Sequence, residues 1–198
     1  MAQFFSLWLK LFFVFTPFFA LTMFISLTEM DDIPHRRQVA LNTTGAVGGV
    51  CLLLFFLGPQ VFWLFGITLD SFRIGGGILL MLSAISLVHG RPGSSASAGV
   101  QDVAVVPLAV PIIVGPATAA TLMVLGAELT TVSDRIIGCL SLILAVLCMG
   151  AVLLSATPIY RRIGVRGLAM LSKITGLILS ALSAQMVMTG IRGFLAGR

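Results

Sequence analysis

Two proline-centred segments hold the residues best suited to chemistry. The first reads Thr16-Pro17-Phe18-Phe19-Ala20-Leu21-Thr22-Met23, and the second Gly115-Pro116-Ala117-Thr118-Ala119-Ala120-Thr121-Leu122. Proline, alanine and threonine keep the same spacing at an offset of 99. The chemistry is non-covalent recognition. A proline inside a helix removes a backbone donor and clashes with the carbonyl one turn back. The unwound turn then offers free N–H groups at a half-helix N-terminus, which suit a carboxylate. It also offers free carbonyls, which suit an ammonium group or a cation. A zwitterion needs both. Thr16, Pro17, Thr22, Gly115, Pro116, Thr118 and Thr121 form the candidate substrate-binding core.

A second pair of segments runs in step with the first. Arg73-Ile74-Gly75-Gly76 matches Lys173-Ile174-Thr175-Gly176 at an offset of 100, continuing through Leu79/Leu179, Ser83/Ser183, Ala84/Ala184 and Gly90/Gly190. Gly75, Gly76, Gly77 and Gly176, with Ser83, Ala84, Ser183 and Ala184, are read as a small-residue face for close helix packing, which also limits the size of any adjoining cavity. Arg73 and Lys173 read as snorkelling anchors. Gly58-Pro59 has no counterpart in the second half and reads as a kink.

Nothing points to an enzyme, a cofactor or a metal. Ser83 and Ser183 have no base nearby in sequence, and His35 and His89 stand apart from any ligand-spaced partner. Cys51, Cys139 and Cys148 show no metal or disulfide spacing and read as packing residues. The seven acidic residues, Glu29, Asp31, Asp32, Asp70, Asp102, Glu128 and Asp134, all fall near span ends. A buried carboxylate is the common proton carrier in pumps. Coupling to H+ or Na+, if it exists here, is therefore left to Asp70 or Asp102 at a cavity mouth, to Glu29, or to backbone carbonyls. Asp70 is also placed to pair with Arg73 across a turn, which fixes the loop.

The elements that must position these residues are membrane spans. The 198 residues are 58% hydrophobic and 10% charged, against roughly 25% charged in a soluble domain. The mean hydropathy is +1.11. Six spans are predicted, near 4–27, 43–66, 73–90, 103–126, 135–157 and 171–194, each long enough to cross a hydrocarbon core of ~30 Å. The apolar N-terminus is too long for a signal peptide and carries Lys10 well inside it. The predicted fold is an all-α membrane protein of one domain, residues 1–198. Repeat 1 covers about 1–90, a linker covers 91–102, and repeat 2 covers about 103–198, with spans 1 and 4 broken at proline. Three spans per half is an odd number, so the repeats cross in opposite directions. The formal charge of +5 lies in short loops, where it meets lipid headgroups; no nucleic-acid surface is indicated. Arg36, Arg37, Arg91, Arg161, Arg162, Arg166 and Lys173 fall on one side, and Lys10, Arg73, Arg135, Arg192 and Arg198 on the other. That bias predicts periplasmic termini in a bacterial inner membrane.

Three stretches resemble the MarC family, also called the neutral amino-acid transporter (NAAT) family. Gly66-Ile67-Thr68-Leu69-Asp70-Ser71-Phe72-Arg73-Ile74-Gly75-Gly76-Gly77-Ile78-Leu79 is similar to the family's G-I-[ST]-x-[DE]-x-F-x-I-[AS]-G-G-I-L block. Val106-Pro107-Leu108-Ala109-Val110-Pro111-Ile112-Ile113-Val114-Gly115-Pro116 is similar to its P-L-A-[IL]-P-L-x-A-G-P block, and Thr189-Gly190-Ile191 to its closing segment. The resemblance covers nearly the whole chain. It implies a six-span inner-membrane protein, some relatives of which are described as transporters of small neutral amino acids. Two departures stand out. The family usually has Asn-Pro-x-Gly in span 1, where this chain has Thr16-Pro17-Phe18-Phe19. It usually has Gly-Pro-Gly or Gly-Pro-Thr in span 4, where this chain has Gly115-Pro116-Ala117. Thr16 keeps a hydroxyl without the amide, and Phe19 puts a ring where the family has glycine.

The resulting expectation is a secondary transporter of small neutral amino acids, glycine-, alanine- or threonine-like, or of similar small solutes, working by alternating access. The alternatives are a non-transporting membrane scaffold or subunit, and an exporter of other small metabolites or drugs. The expected partners are the small-molecule substrate and the bilayer; self-association stays open.

Overall fold

The computed structural model describes residues 2–29, 31–89 and 108–196. Among them every regular element is helical. Seven α-helices follow in order: α1 (Ala2–Val14), α2 (Pro17–Leu27), α3 (Ile33–Phe65), α4 (Leu69–His89), α5 (Pro116–Glu128), α6 (Val132–Leu154) and α7 (Ala156–Ala196). A π-helical turn, Leu108–Ile113, precedes α5. Five stretches are long and apolar enough to cross a membrane: Gln3–Leu27, Ile33–Phe65, Leu69–His89, Val132–Leu154 and Ala156–Ala196. The expected fourth span, 103–126, is described from Leu108 onward as the π turn and α5. The linker 91–102, with Asp102, and also Gly90 and Pro107, lies outside the described residues.

Several boundaries differ from the sequence reading. α3 begins ten residues before the predicted start, so His35, Arg36 and Arg37 lie in its first turns and not in a loop. Pro34 sits in that first turn, where a missing N–H costs nothing. α7 absorbs the expected loop carrying Arg161, Arg162 and Arg166. It bends at Gly164, whose φ of 68° and ψ of 173° are non-helical, within the apolar stretch Ala156–Ala196. Asp70 does not form the α3–α4 turn; it stands in the first turn of α4. The turn itself is Gly66-Ile67-Thr68. Gly66 adopts φ 64°, and the Ile67 N–H donates to the Phe62 carbonyl at 3.0 Å, closing α3. The Thr68 hydroxyl then accepts from the Ser71 N–H at 3.2 Å, opening α4.

The helices pack through small residues. α4 lies along α7, α5 is wedged between α3 and α4, and α6 packs on α1 and α3. Gly76, Gly77 and Gly176 are buried in these seams. A Cβ on Gly176 would come within 2.9 Å of the Ala84 carbonyl. Ser183, fully buried, donates a 2.6 Å hydrogen bond to the Gly77 carbonyl and ties α7 to α4. Gly75 and Ala184 face outward instead, Gly75 with nothing within 4 Å of its Cβ position. Ser83 bonds back to Leu79 of its own helix. The packing face of α4 is thus Gly76-Gly77 with Ala84, a narrower set than the expected one, from which Gly75, Ser83 and Ala184 fall away. The exposed apolar residues, such as Leu64, Leu82, Leu147 and Leu177, present the outer surface that lipid covers. We predict that Ser183→Ala lowers stability by about 1 kcal/mol, read from melting of the protein in detergent.

Gly58-Pro59 does not end α3, which runs on to Phe65. Pro59 lacks the N–H that would bond the Phe55 carbonyl one turn back. That carbonyl lies against Gly126 of α5. In return, a Cβ at Gly58 would stand 2.7 Å from the Met123 Cα. The pair of glycines lets α3 and α5 touch backbone to backbone.

Candidate functional site

The two proline breaks form as local chemistry requires. In the first, Pro17 has no N–H for the carbonyl of Phe13, and the Thr16 N–H turns back to that carbonyl at 2.9 Å. Thr16 itself is left-handed, with φ 48° and ψ 57°. Among the described residues, no other non-glycine residue has positive φ. A β-branched residue there is strained by about 1–3 kcal/mol. Asparagine tolerates the conformation better because its short side chain bonds locally. We predict that Thr16→Asn raises stability by about 1 kcal/mol, visible as a higher melting temperature in detergent.

In the second break, the π turn ends with the Val114 N–H donating to the Ala109 carbonyl at 2.9 Å. Gly115 is extended, and Pro116 opens α5. Neither α2 nor α5 receives a side-chain cap from its N-cap residue.

The fold brings the two breaks together. The Thr118 hydroxyl, buried, lies 3.1 Å from the Ile113 carbonyl and 3.5 Å from the Val14 carbonyl. Its single proton goes to the nearer carbonyl, Ile113, and the Val14 carbonyl at the end of α1 lies beside it, so the two breaks meet at this residue. Thr22 and Thr121 occupy equivalent places in α2 and α5, and each bonds one turn back, to Phe18 and Ala117 at 2.9 Å. Pro17 is buried, Thr16 and Gly115 are half-buried, and Pro116 is exposed.

Beside the breaks, α1, α4, α5 and α7 line a partly open cavity of about 250 Å³. Of the candidate core, Thr121 lines it; Thr16, Pro17, Thr22, Gly115, Pro116 and Thr118 do not. Its apolar wall includes Leu11, Val14, Leu80 and Leu182, and its polar wall Lys10, Arg73, Glu128, Gln185 and Thr189. A wider hollow of about 440 Å³ at the start of α3 is open and lined by that helix alone.

At the cavity mouth, Arg73 holds two carboxylates. Its Nη1 is 2.6 Å from Asp70 Oδ1, while Nη2 and Nε reach Glu128 Oε1 at 2.9 and 3.1 Å. The Asp70–Arg73 pair is present, but within one helical turn, and it is extended to α5. Gly190 and Gly193 of α7 close over Asp70, leaving no room for a Cβ. The sequence reading missed Glu128 as partner because the pair spans 55 residues. For Lys10 a signal existed: a lone charge within an apolar span. Among the described residues, no group of three or more potential metal ligands occurs.

The family profile for MarC family integral membrane proteins matches residues 1–195. The chain belongs to the MarC family. This MarC-family protein is 35% identical over 193 residues to a UPF0056 membrane protein of Methanocaldococcus jannaschii, covering 94% of each chain. It is 30% identical over 202 residues to the UPF0056 membrane protein YhcE of Escherichia coli, covering 98% of this chain and 94% of that one. A relative from Aquifex aeolicus is 32% identical over 197 residues, covering 94% and 91%. No solved structure matches the chain. The protein is an integral, multi-pass membrane protein, all-helical in its described residues.

Proposed function

We propose that this MarC-family protein is a secondary transporter of small neutral amino acids or similar small solutes, working by alternating access between two inverted three-helix repeats. The observation that carries the reading is the meeting of two proline-broken spans at Thr118, beside a cavity with room for a small amino acid. The helix contacts support the repeat. α2 packs on α7 as α5 packs on α4, and α1 packs on α6 as the π turn packs on α3; α3 meets α6, and α4 meets α7. Exchanging the first half for the second turns each of these helix contacts into another that the fold also makes, as a two-fold relation requires.

The charge distribution supports an orientation. The start of α1 meets the start of α6 through Gln3 and Asp134, and the end of α7 meets the start of α4 at Asp70. Both ends of the described chain therefore share one face. Arg36, Arg37, Arg161, Arg162, Arg166 and Lys173 lie toward the other, which we assign to the cytoplasm of a bacterial inner membrane.

The test is flux. Purified protein in liposomes, supplied with labelled glycine, alanine or threonine under imposed proton or sodium gradients, is expected to move at least one of them. Absence of gradient-dependent flux for all three would sink the reading in favour of a non-transporting subunit.

A further inference from the structure

We propose that the cavity between α1, α4, α5 and α7 is a side-chain binding site for a small zwitterion, with the ligand's carboxylate on Lys10 and its ammonium group on Glu128. The ligand class rests on the transport reading; the choice of residues rests on which polar groups in the cavity are already used.

Lys10 lies eight residues beyond the start of α1, roughly 12 Å along the helix axis. A charge that far along an apolar span is a functional candidate by default, because it needs a partner or a wet cavity, and Lys10 is exposed rather than packed in the core. It lines the cavity, yet it makes no hydrogen bond or ion pair with any described residue. The neighbouring cation, Arg73, is occupied by Asp70 and Glu128. An incoming carboxylate therefore finds one available cation, and it is Lys10.

The anionic side of the cavity is half free. Both bonds from Arg73 to Glu128 go to Oε1. Glu128 Oε2 has no hydrogen-bond donor among the described residues, and it suits a ligand ammonium group. Arg73 holds the carboxylate in place while leaving that oxygen available. The side-chain amide of Gln185 and the hydroxyl of Thr121, which bonds only its own helix, complete the polar wall. Apolar side chains fill the remainder. A cavity of about 250 Å³ has room for a small amino acid.

The experiment is equilibrium binding of labelled L-alanine to the purified full-length protein in phosphatidylcholine nanodiscs, with unlabelled propionate and ethylamine as competitors. Propionate lacks the ammonium group, and ethylamine lacks the carboxylate. L-Alanine is expected to bind at least tenfold more tightly than either. Lys10→Gln should weaken both alanine and propionate at least tenfold, while Lys10→Arg stays within a few-fold of the parent. Glu128→Gln should weaken alanine at least tenfold and leave propionate within a few-fold. Lys10 has no structural partner, so its variants test the site even if Glu128→Gln disturbs the Arg73 cluster. Unchanged alanine binding in Lys10→Gln, or no alanine binding to the parent protein, overturns the proposal. Normal flux with unchanged binding in the Lys10 variants would overturn this site and leave transport standing. Lys10-dependent binding without flux under any gradient would do the reverse.

Discussion

Gly126→Ala should be the most damaging small substitution in this protein, lowering stability by about 3 kcal/mol, the upper part of the usual range for overpacking. The added methyl would collide with the Phe55 carbonyl, with the carbonyl carbon 2.9 Å away. That obstacle is backbone, so no side-chain rotation relieves it. α3 and α5 would have to separate, and the reciprocal contact of Gly58 on Met123 would open with them. Phe55 is almost fully buried, and Gly138 of α6 packs on its ring, so the displacement carries into a third helix. Gly49→Ala is the control. It lies in the same α3 with nothing within 4 Å of its Cβ position. Alanine there should stabilise the helix by up to about 1 kcal/mol. Melting of the two variants in detergent should move in opposite directions; equal shifts would mean that α3 and α5 do not approach through glycine.

Pro116→Ala should reduce solute flux by about tenfold or more, the equivalent of about 1.4 kcal/mol in a rate barrier, with the protein still folded in the membrane. Proline at the first position of a helix contributes little hydrogen bonding, since that N–H has no helical partner in any case. Its role is to forbid continuation. The ring keeps Gly115 extended and separates the π turn from α5. Alanine lifts that bar and lets the two pieces join, which moves Thr118 away from the Val14 carbonyl. Thr121→Val tests the same region without touching the backbone. The Thr121 hydroxyl bonds only to Ala117 of its own helix, so its loss should cost the fold less than about 1 kcal/mol. A matching fall in flux would then report contact with solute. Parent-level flux in both variants would count against a solute path at the second break.

The membrane class, five of the predicted spans and both breaks were legible in the sequence because each depends on local chemistry. Long apolar runs cannot be solvated, and proline removes its own N–H wherever it falls. In the block from Gly66 to Gly77 the end of one span and a close-packing face were legible, but the start of α4 was placed four residues late and the face was read too broadly. Gly75 looks outward and Gly77 inward. These spans are apolar all round, so no polar stripe marks the inner face, and lipid and core accept the same side chains. Only the tertiary structure decided that Arg73 joins α4 to α5 through Glu128, that Thr118 joins the two breaks, and that Lys10 faces a cavity. Each of these depends on the rotation of one helix about its axis relative to another distant in the chain. Span composition sets that a helix crosses the membrane; the meeting of glycine with backbone and of arginine with carboxylate sets how the crossings are turned.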